Sequence, residues 1–318
     1  LRLYRYVSRT GGLQPRLAVA GVAASPVDLI AAWERVMGGR PDPELSQFLV
    51  STLHLIQQGR KVWSEIHDVA RAATEMPELR VDLNDPDVRL LCPIDTLSSL
   101  RDFLAFEDHV ENGARRRGGR VPEYWYEAPL YYKGNHHSTL GPDEELQWPS
   151  YTDYLDLELE LAMIIGKRGR DIGKDEASEH IFGFTIFNDF SARDVQMQEV
   201  TAWLGPAKGK DFANSFGPCI VTADELGTEP DLEMICRVNG QEWGRARSSA
   251  SYWSWADMIA HVSNGEDVYP GDVYGSGTPG GCCGLDLERR LSPGDVVELE
   301  IEKIGVLRNK IGPKRAQT

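Results

Sequence analysis

The stretch Asp153-Tyr154-Leu155-Asp156-Leu157-Glu158-Leu159-Glu160-Leu161-Ala162-Met163-Ile164-Ile165-Gly166 decides how this chain is read. Leucine alternates with acid, the run then turns apolar, and a glycine ends it. Alternation at period two marks a β-strand with one face toward a core. The other face carries Asp156, Glu158 and Glu160. Residues two apart on a strand point the same way, about 7 Å from each other. Like charges placed so repel unless a counter-charge lies between them. The strand alone supports two readings: a solvated outer face, or carboxylates gathered around a hard divalent cation.

Composition narrows the setting of that strand. A chain of 318 residues can bury a full core, as one large domain or a large one with a small partner. Hydrophobic content of 41% and charged content of 26% are those of a globular protein. The net charge of −15 argues against a nucleic-acid partner. It also requires an anionic substrate to find a local positive pocket. No apolar run reaches the roughly 20 residues of a bilayer span, so no membrane association is expected. No basic-then-apolar leader follows Leu1. The five cysteines, Cys92, Cys219, Cys236, Cys282 and Cys283, are odd in number and form no CxxC. Reduced thiols in a cytoplasmic protein are therefore expected. The adjacent Cys282 and Cys283 read as small residues of a Gly-rich loop, since their spacing fits no zinc site.

Outward from the acidic strand, residues 1–95 read as a small N-terminal α+β domain and residues 96–318 as the main body. Leu1–Tyr6 and Arg16–Val22 read as strands; Pro26–Met37, Pro43–Gln58 and Val62–Thr74 read as helices. Ser98–Arg117 reads as helical after its first few residues. Strand signals then dominate, clearest in Phe182–Phe187, Gly217–Thr222, Glu233–Asn239, Asp272–Gly275 and Asp295–Ile301. Ser254–Asn264 reads as a helix. Asn239-Gly240 predicts a hairpin, and Pro270-Gly271-Asp272 and Pro293-Gly294-Asp295 predict type II turns.

Three further segments carry polar residues a core would not choose. In Arg101 to His109, a helical reading returns Asp102 and His109 to one face, about 10 Å apart along the axis. They could then face one site without sharing one ion. The competing reading is an amphipathic surface helix with a structural histidine. Asp189 closes an apolar strand within Asn188 to Gln196, where the alternative is a polar turn capped by Ser191. Gly209-Lys210-Asp211-Phe212 suggests a phosphate loop only superficially, because Asp211 stands where Ser or Thr would bind magnesium.

With these segments in order, the chain resembles the fumarylacetoacetate hydrolase family from about residue 100 to 312. The likeness is carried by Leu155–Gly166, His180–Gly183 with Asn188–Gln196, Gly209–Phe212, Gly275-Ser276-Gly277-Thr278-Pro279, and Pro293–Asn309. The resemblance implies a mainly β (α+β) fold, a mixed β-sandwich or β-roll with the small N-terminal domain, and a homodimer. It implies a metal held by Asp102, Glu158, Glu160 and Asp189. Asp156 falls outside that ligand set. His109 matches the catalytic histidine, and Glu288 the glutamate that orients it. Arg193, Gln196 and Lys210 match substrate-contacting positions, Gly277 and Thr278 belong to the Gly-rich loop, and Tyr132 lies in the aromatic stretch expected to line the pocket. Asn214 stands where the family has a threonine that helps hold ions beneath the site.

All-oxygen ligation suits Mg²⁺, with Mn²⁺ or Ca²⁺ as alternatives. The implied activity is metal-dependent hydrolysis of a carbon–carbon bond in an acylpyruvate or related β-diketone acid, with His109 as general base. Lys210 and Arg193 would hold the substrate carboxylate or the developing oxyanion. Decarboxylation or keto–enol isomerisation of a 2-oxo acid could use the same platform. A non-catalytic relative that binds a small ligand is the third reading, disfavoured because unoccupied buried acids are costly.

Overall fold

The computed structural model describes residues 1–316 apart from 11, 22, 23 and 42. Two sheets hold most of its strands. In the eleven-stranded sheet the main path runs Val27–Asp28, Arg16–Ala20, Arg2–Ser8, Asn214–Thr222, Ile181–Asp189, Leu159–Ile165, Asp272–Gly275, Ser99–Phe103, Tyr131–Lys133. The five-stranded sheet runs Gln241–Arg247, Glu233–Val238, Val296–Ile301, Gly305–Lys314, Glu145–Trp148.

The leucine half of the opening alternation explains how the sheets stack. Leu159, Leu161, Met163 and Ile165 enter one core with Met234, Cys236, Leu299 and Ile301 of the smaller sheet. Ala162 and Ile164 point the other way, into a second core with Leu29, Trp33, Ile66, Phe187 and Phe216. The large sheet is therefore covered on both faces. That corrects the solvated-face reading: Asp156 and Glu160 are 0% exposed and Glu158 is 5% exposed. It also refines the strand itself, which is broken into Leu155–Asp156 and Leu159–Ile165. At the break the Glu158 N–H donates to Asn188 Oδ1 at 3.0 Å.

The N-terminal residues extend the large sheet. Arg2 pairs with Val221 and Leu3 with Ile220, so hydrogen bonding crosses the boundary expected near residue 95. The strand expected over 16–22 is observed as Arg16–Ala20, and Val22 lies outside the described residues. The helix expected over 43–58 is two, Pro43–Phe48 and Thr52–Gln57. Ser51 caps the second, accepting from the His54 N–H, and its hydroxyl is held by Asp95 at 2.7 Å.

Asp28 organises this region. It accepts two bonds from Arg16, one from Tyr6, and the Ala31 N–H that starts the helix Leu29–Met37. Burial pushes its pKa up, but Arg16, Tyr6 and Ala31 together hold it below the usual value. A carboxylate whose folded pKa is lowered contributes stability above its unfolded pKa and loses it as pH falls through the folded value. Asp28→Ala is expected to cost about 2–4 kcal/mol above about pH 5, and much less near pH 3, read from urea midpoints.

The clearest strands of the body lie where the pattern puts them, and the helix expected over 254–264 is Trp255–Ser263, closed by a Ser254–Asp257 capping box. Asn239 and Gly240 turn with φ of 52° and 75°, the left-handed pair a type I′ hairpin needs. One element differs. Asp102 lies on a strand, Ser99–Phe103, and the helix spans only Glu107–Arg116. Pairing of Ser99–Asp102 with Asp272–Gly275 on one side and of Arg101–Phe103 with Tyr131–Lys133 on the other overrides the local helical pattern. No helix among the described residues is long and apolar enough to cross a membrane.

Candidate metal centre and active site

Residues directly opposite across paired strands share a face. Asp189 faces Asn214, Ala162 faces Gly275, Gly275 faces Asp102, and Asp102 faces Tyr132. Glu158 and Glu160 share the parity of Ala162, and the Asp189 N–H donates to the Glu158 carbonyl at 3.3 Å. Asn214, Asp189, Glu158, Glu160, Asp102 and Tyr132 thus form a row across the large sheet. Gly275 sits within that row. A Cβ there would meet Asp102 Oδ1 at 2.4 Å and Glu160 Oε2 at 2.7 Å, so the missing side chain gives the carboxylates their space.

Asp102, Glu158, Glu160 and Asp189 are all buried, and one oxygen from each lies within 4.8 Å of the others. Oxygens around a single ion are about 3.0–4.2 Å apart for Mg²⁺ and about 3.4–4.8 Å for Ca²⁺, from their usual bond lengths. Asp102 Oδ1, Glu160 Oε1 and Asp189 Oδ1 have no hydrogen-bond partner. Their other contacts aim them inward: Glu160 Oε2 accepts the Gly277 N–H at 2.9 Å, and Asp189 Oδ2 accepts the Tyr132 hydroxyl at 2.7 Å.

Charge supports the same reading. Counting Asp156, five buried carboxylates meet two buried cations, Arg193 and Lys210. Burial and then the Asp189 charge raise the Asp102 pKa well above its usual value. Burial and then the Asp102 charge do the same to Glu160. Burial raises Asp189 despite the opposing pull of Lys210. Glu158 goes the other way: burial pushes up, but Arg193 and Lys210 hold it down to about 2. An all-oxygen set with three unpartnered, buried oxygens and surplus negative charge fits a hard divalent cation.

Lys210 Nζ donates to Glu158 Oε2 and Asp189 Oδ2, each at 2.5 Å, which leaves one of its three N–H groups for a ligand. Arg193 is more committed. It bonds Asp156 at 2.8 Å, Glu158 at 2.7 Å and Gln196 at 3.0 Å, so it positions these groups. Asp156 stays out of the carboxylate cluster; it also accepts the N–H groups of Gly284 and Leu285. Thr278 is buried, with its hydroxyl on the Cys282 carbonyl at 3.3 Å. Asn214 donates to the Asn135 carbonyl at 2.9 Å, and its Oδ1 has no partner. All five cysteines are free and buried.

His109 enters from a different element than Asp102, on the first turn of the helix Glu107–Arg116. Its Nδ1 lies 3.0 Å from Asp286 Oδ2. The structure corrects the expected orienting acid. Glu288 is exposed, with a left-handed φ of 55° at the end of the short helix Gly284–Leu287, and the carboxylate hydrogen-bonded to His109 belongs to Asp286. Asp286 occupies that place two residues earlier, because the helical turn starting at Cys283 points it back at His109. Its N–H bonds Cys283 Sγ at 3.4 Å, and its carboxylate also accepts from Asn112, the Gly281 N–H and Arg116. Burial pushes the Asp286 carboxyl up, but the hydrogen bond and charge of His109, with Gly281 and Arg116, hold it well below the carboxylate range. An ionised carboxylate only accepts, so the Nδ1 that faces Asp286 carries a proton. The sequence signal for Asp286 is an acid three residues into a helical turn that follows Gly-Gly, a favoured N-terminal position.

The profile of the fumarylacetoacetate (FAA) hydrolase C-terminal family matches residues 99–312. The chain belongs to the fumarylacetoacetate hydrolase family. Among curated relatives of this family, the mitochondrial oxaloacetate tautomerase FAHD2A of Bos taurus is 35% identical over 278 residues, covering 85% of this chain and 81% of that protein. The 2,4-didehydro-3-deoxy-L-rhamnonate hydrolase of Sphingomonas sp. (strain SKA58) is 34% identical over 189 residues, 59% of this chain and 66% of its own. Against the rat and human oxaloacetate tautomerases the match spans 64% and 59% of the relative's length. The fumarylacetoacetate hydrolase of Exiguobacterium antarcticum aligns over 99% of both chains, with a TM-score of 0.72 and 27% identity. The family thus includes tautomerases and hydrolases, and its sheet-rich α+β fold is the one seen here.

Proposed function

We propose that this chain is a divalent-metal-dependent hydrolase that cleaves a carbon–carbon bond in an acylpyruvate or related β-diketone acid. The observation that carries this reading is a His109–Asp286 pair whose charge reaches Glu158, one of four buried carboxylates of which the other three have an unpartnered oxygen. Asp102, Glu158, Glu160 and Asp189 would hold the ion, with Mg²⁺ favoured and Mn²⁺ or Ca²⁺ possible occupants. When bound, such a cation polarises a substrate carbonyl and stabilises enolate charge.

The chain's own groups supply the rest. His109 Nε2 takes a proton from water as the water oxygen attacks the acyl carbonyl. Asp286 fixes the tautomer and favours the imidazolium that forms. Collapse breaks the bond to the methylene carbon, the acyl group leaves as a carboxylic acid, and His109 returns its proton to that carbon. The spare N–H of Lys210 meets the substrate carboxylate or oxyanion, and Tyr132 donates to the same Asp189 oxygen that Lys210 holds. Burial of these groups keeps bulk water from competing for their hydrogen bonds.

Keto–enol tautomerisation is the second reading, favoured by the 35% identity to an oxaloacetate tautomerase over most of the chain. It needs proton transfer but no attacking water. A panel of acylpyruvates and oxaloacetate, supplied with Mg²⁺, Mn²⁺ or Ca²⁺ and followed by product mass, separates the two. Hydrolysis adds one water to the substrate mass across two products; tautomerisation leaves the mass unchanged. Chelation should abolish either activity and Mg²⁺ should restore it. Turnover that survives thorough chelation overturns the metal role. A homodimer in the cytoplasm is part of this proposal, tested by light scattering and by fractionation.

A further inference from the structure

Among the described residues, one other group of possible metal ligands gathers as closely as the four carboxylates, and its chemistry differs. A nitrogen of His109, the Cys283 Sγ and a carboxylate oxygen of Asp286 lie within 4.8 Å of one another. His109 Nδ1 faces Asp286 Oδ2 at 3.0 Å. Cys283 joins them from the start of the short helix Gly284–Leu287, where its Sγ accepts the Asp286 N–H at 3.4 Å. Serine, threonine, aspartate and asparagine are the ordinary residues for that capping role. A cysteine there caps weakly and brings a soft donor instead.

The surroundings hold these donors in place. Arg116 takes Asp286 Oδ1, while Asn112 and the Gly281 N–H fix Oδ2. Carboxylate ligands of metals are commonly held by such outer partners. Cys283 pairs with Glu158 in an antiparallel bridge, which ties the thiol to the backbone of the carboxylate centre. Of the three side chains only the imidazole reaches solvent: His109 is 12% exposed, and the Cys283 and Asp286 side chains are 0% exposed.

We propose that His109, Cys283 and Asp286 form a second cation site, one for Zn²⁺, and that filling it disables the base. The inhibitory part rests on reading His109 as the general base. Thiolate and imidazole suit Zn²⁺, whereas Mg²⁺ prefers oxygen, so the two neighbouring centres sort cations by softness. Tetrahedral zinc with bonds of about 2.0–2.3 Å sets its ligand atoms about 3.3–3.6 Å apart. Side-chain shifts of about 1 Å would close the three donors on the ion, with water in the fourth position. Burial pushes the Cys283 thiol up, so it keeps its proton until the ion displaces that proton to solvent. The thiolate and the Asp286 carboxylate then balance the ion's charge. With the ion on Nδ1, the remaining imidazole proton sits on Nε2, and that nitrogen can no longer take a proton from water.

The test uses the Mg²⁺-saturated full chain, with Co²⁺ as a visible stand-in for Zn²⁺. Only a thiolate ligand gives Co²⁺ a sulfur-to-metal charge-transfer absorption; oxygen ligands do not. Wild-type protein should show that band. Cys283→Ser, which keeps a capping oxygen, should lose it, and Cys282→Ser should retain it. Calorimetric Zn²⁺ Kd should rise at least about 10-fold in Cys283→Ser and in His109→Ala. Zn²⁺ should inhibit turnover in a way that excess Mg²⁺ does not relieve, and half-inhibition of Cys283→Ser should need at least about 10-fold more Zn²⁺. No band, a band that survives in Cys283→Ser or is lost in Cys282→Ser, an unchanged Zn²⁺ Kd, or inhibition relieved by Mg²⁺ overturns the site. If wild-type protein turns over neither acylpyruvate nor oxaloacetate, the reaction reading fails, and the Co²⁺ spectrum and Zn²⁺ titration still decide the site.

Discussion

Alanine in place of His109 is expected to lower kcat by about 10²- to 10⁴-fold while leaving Mg²⁺ affinity within about 3-fold. The separation of effects follows from the geometry. His109 belongs with Asp286 and Cys283, and the four carboxylates form their own group. Removing the imidazole deletes the proton acceptor without touching an oxygen that could ligate an ion. Asp286→Asn should approach the same loss, because an amide can offer its N–H to Nδ1 and so favour the wrong tautomer. Glu288→Gln should stay within about 2-fold, since Glu288 is exposed and does not reach His109. Steady-state rates with matched calorimetric titration of Mg²⁺ decide the matter. A His109→Ala protein of near wild-type kcat would refute the general base. A large effect at Glu288 with none at Asp286 would reverse the assignment of the orienting acid.

Glu160→Gln is expected to weaken Mg²⁺ binding by at least about 100-fold, yet to stabilise the metal-free protein. Changes to outer-shell partners alone cost about 10- to 100-fold in affinity, so loss of a ligand charge should reach or exceed that range. The gain in the metal-free state comes from the surroundings: burial and the Asp102 charge already disfavour the ionised form of Glu160. The sign of the pH dependence is fixed by that direction. A group whose folded pKa is raised leaves stability intact below its unfolded pKa and removes it as pH rises. Metal-free wild-type protein should therefore lose stability as pH rises above about 5, where carboxylates of lowered pKa are already ionised. Saturating Mg²⁺ should reverse the loss, because only the deprotonated carboxylates bind. The Gln variant should show a smaller pH slope and no Mg²⁺ response. Each kcal/mol gained would appear as about 2–4 °C in the thermal midpoint. Wild-type Mg²⁺ stabilisation persisting in Glu160→Gln would exclude that carboxylate from the ion.

The two experiments probe groups of different legibility in the sequence. Glu158 and Glu160 could be paired from parity alone, since two residues on a strand return to the same face. Asp189 was readable as the polar end of an apolar strand. Asp102 is legible only through its place in an ordered set of motifs, while its local pattern points to a helix. Only pairing with Asp272–Gly275 and Tyr131–Lys133 made it a strand and turned its side chain toward Glu160. Asp286 and Glu288 cannot be told apart in the sequence, because they lie two residues apart in a loop without periodicity and their directions depend on where the short helix ends. Gly275 could not be singled out, because its lack of a side chain matters only beside Asp102 and Glu160.

The sequence by itself determined the clearest strands of the body, their alternating faces, and the set of acids from which a metal centre could be drawn. Those properties are local: a period of two and a turn residue act through neighbours in the chain. The tertiary structure alone decided that the acidic face is buried. Parity places Glu158 and Glu160 on the face opposite Leu159 and Leu161, but it does not say what covers that face. The cover comes from far along the chain, from the Tyr132, Lys210, Arg193 and Gly277 segments at the carboxylates and from Leu29, Trp33 and Ile66 farther down the same face. Burial there turns a row of charges that water would tolerate into one that calls for a cation.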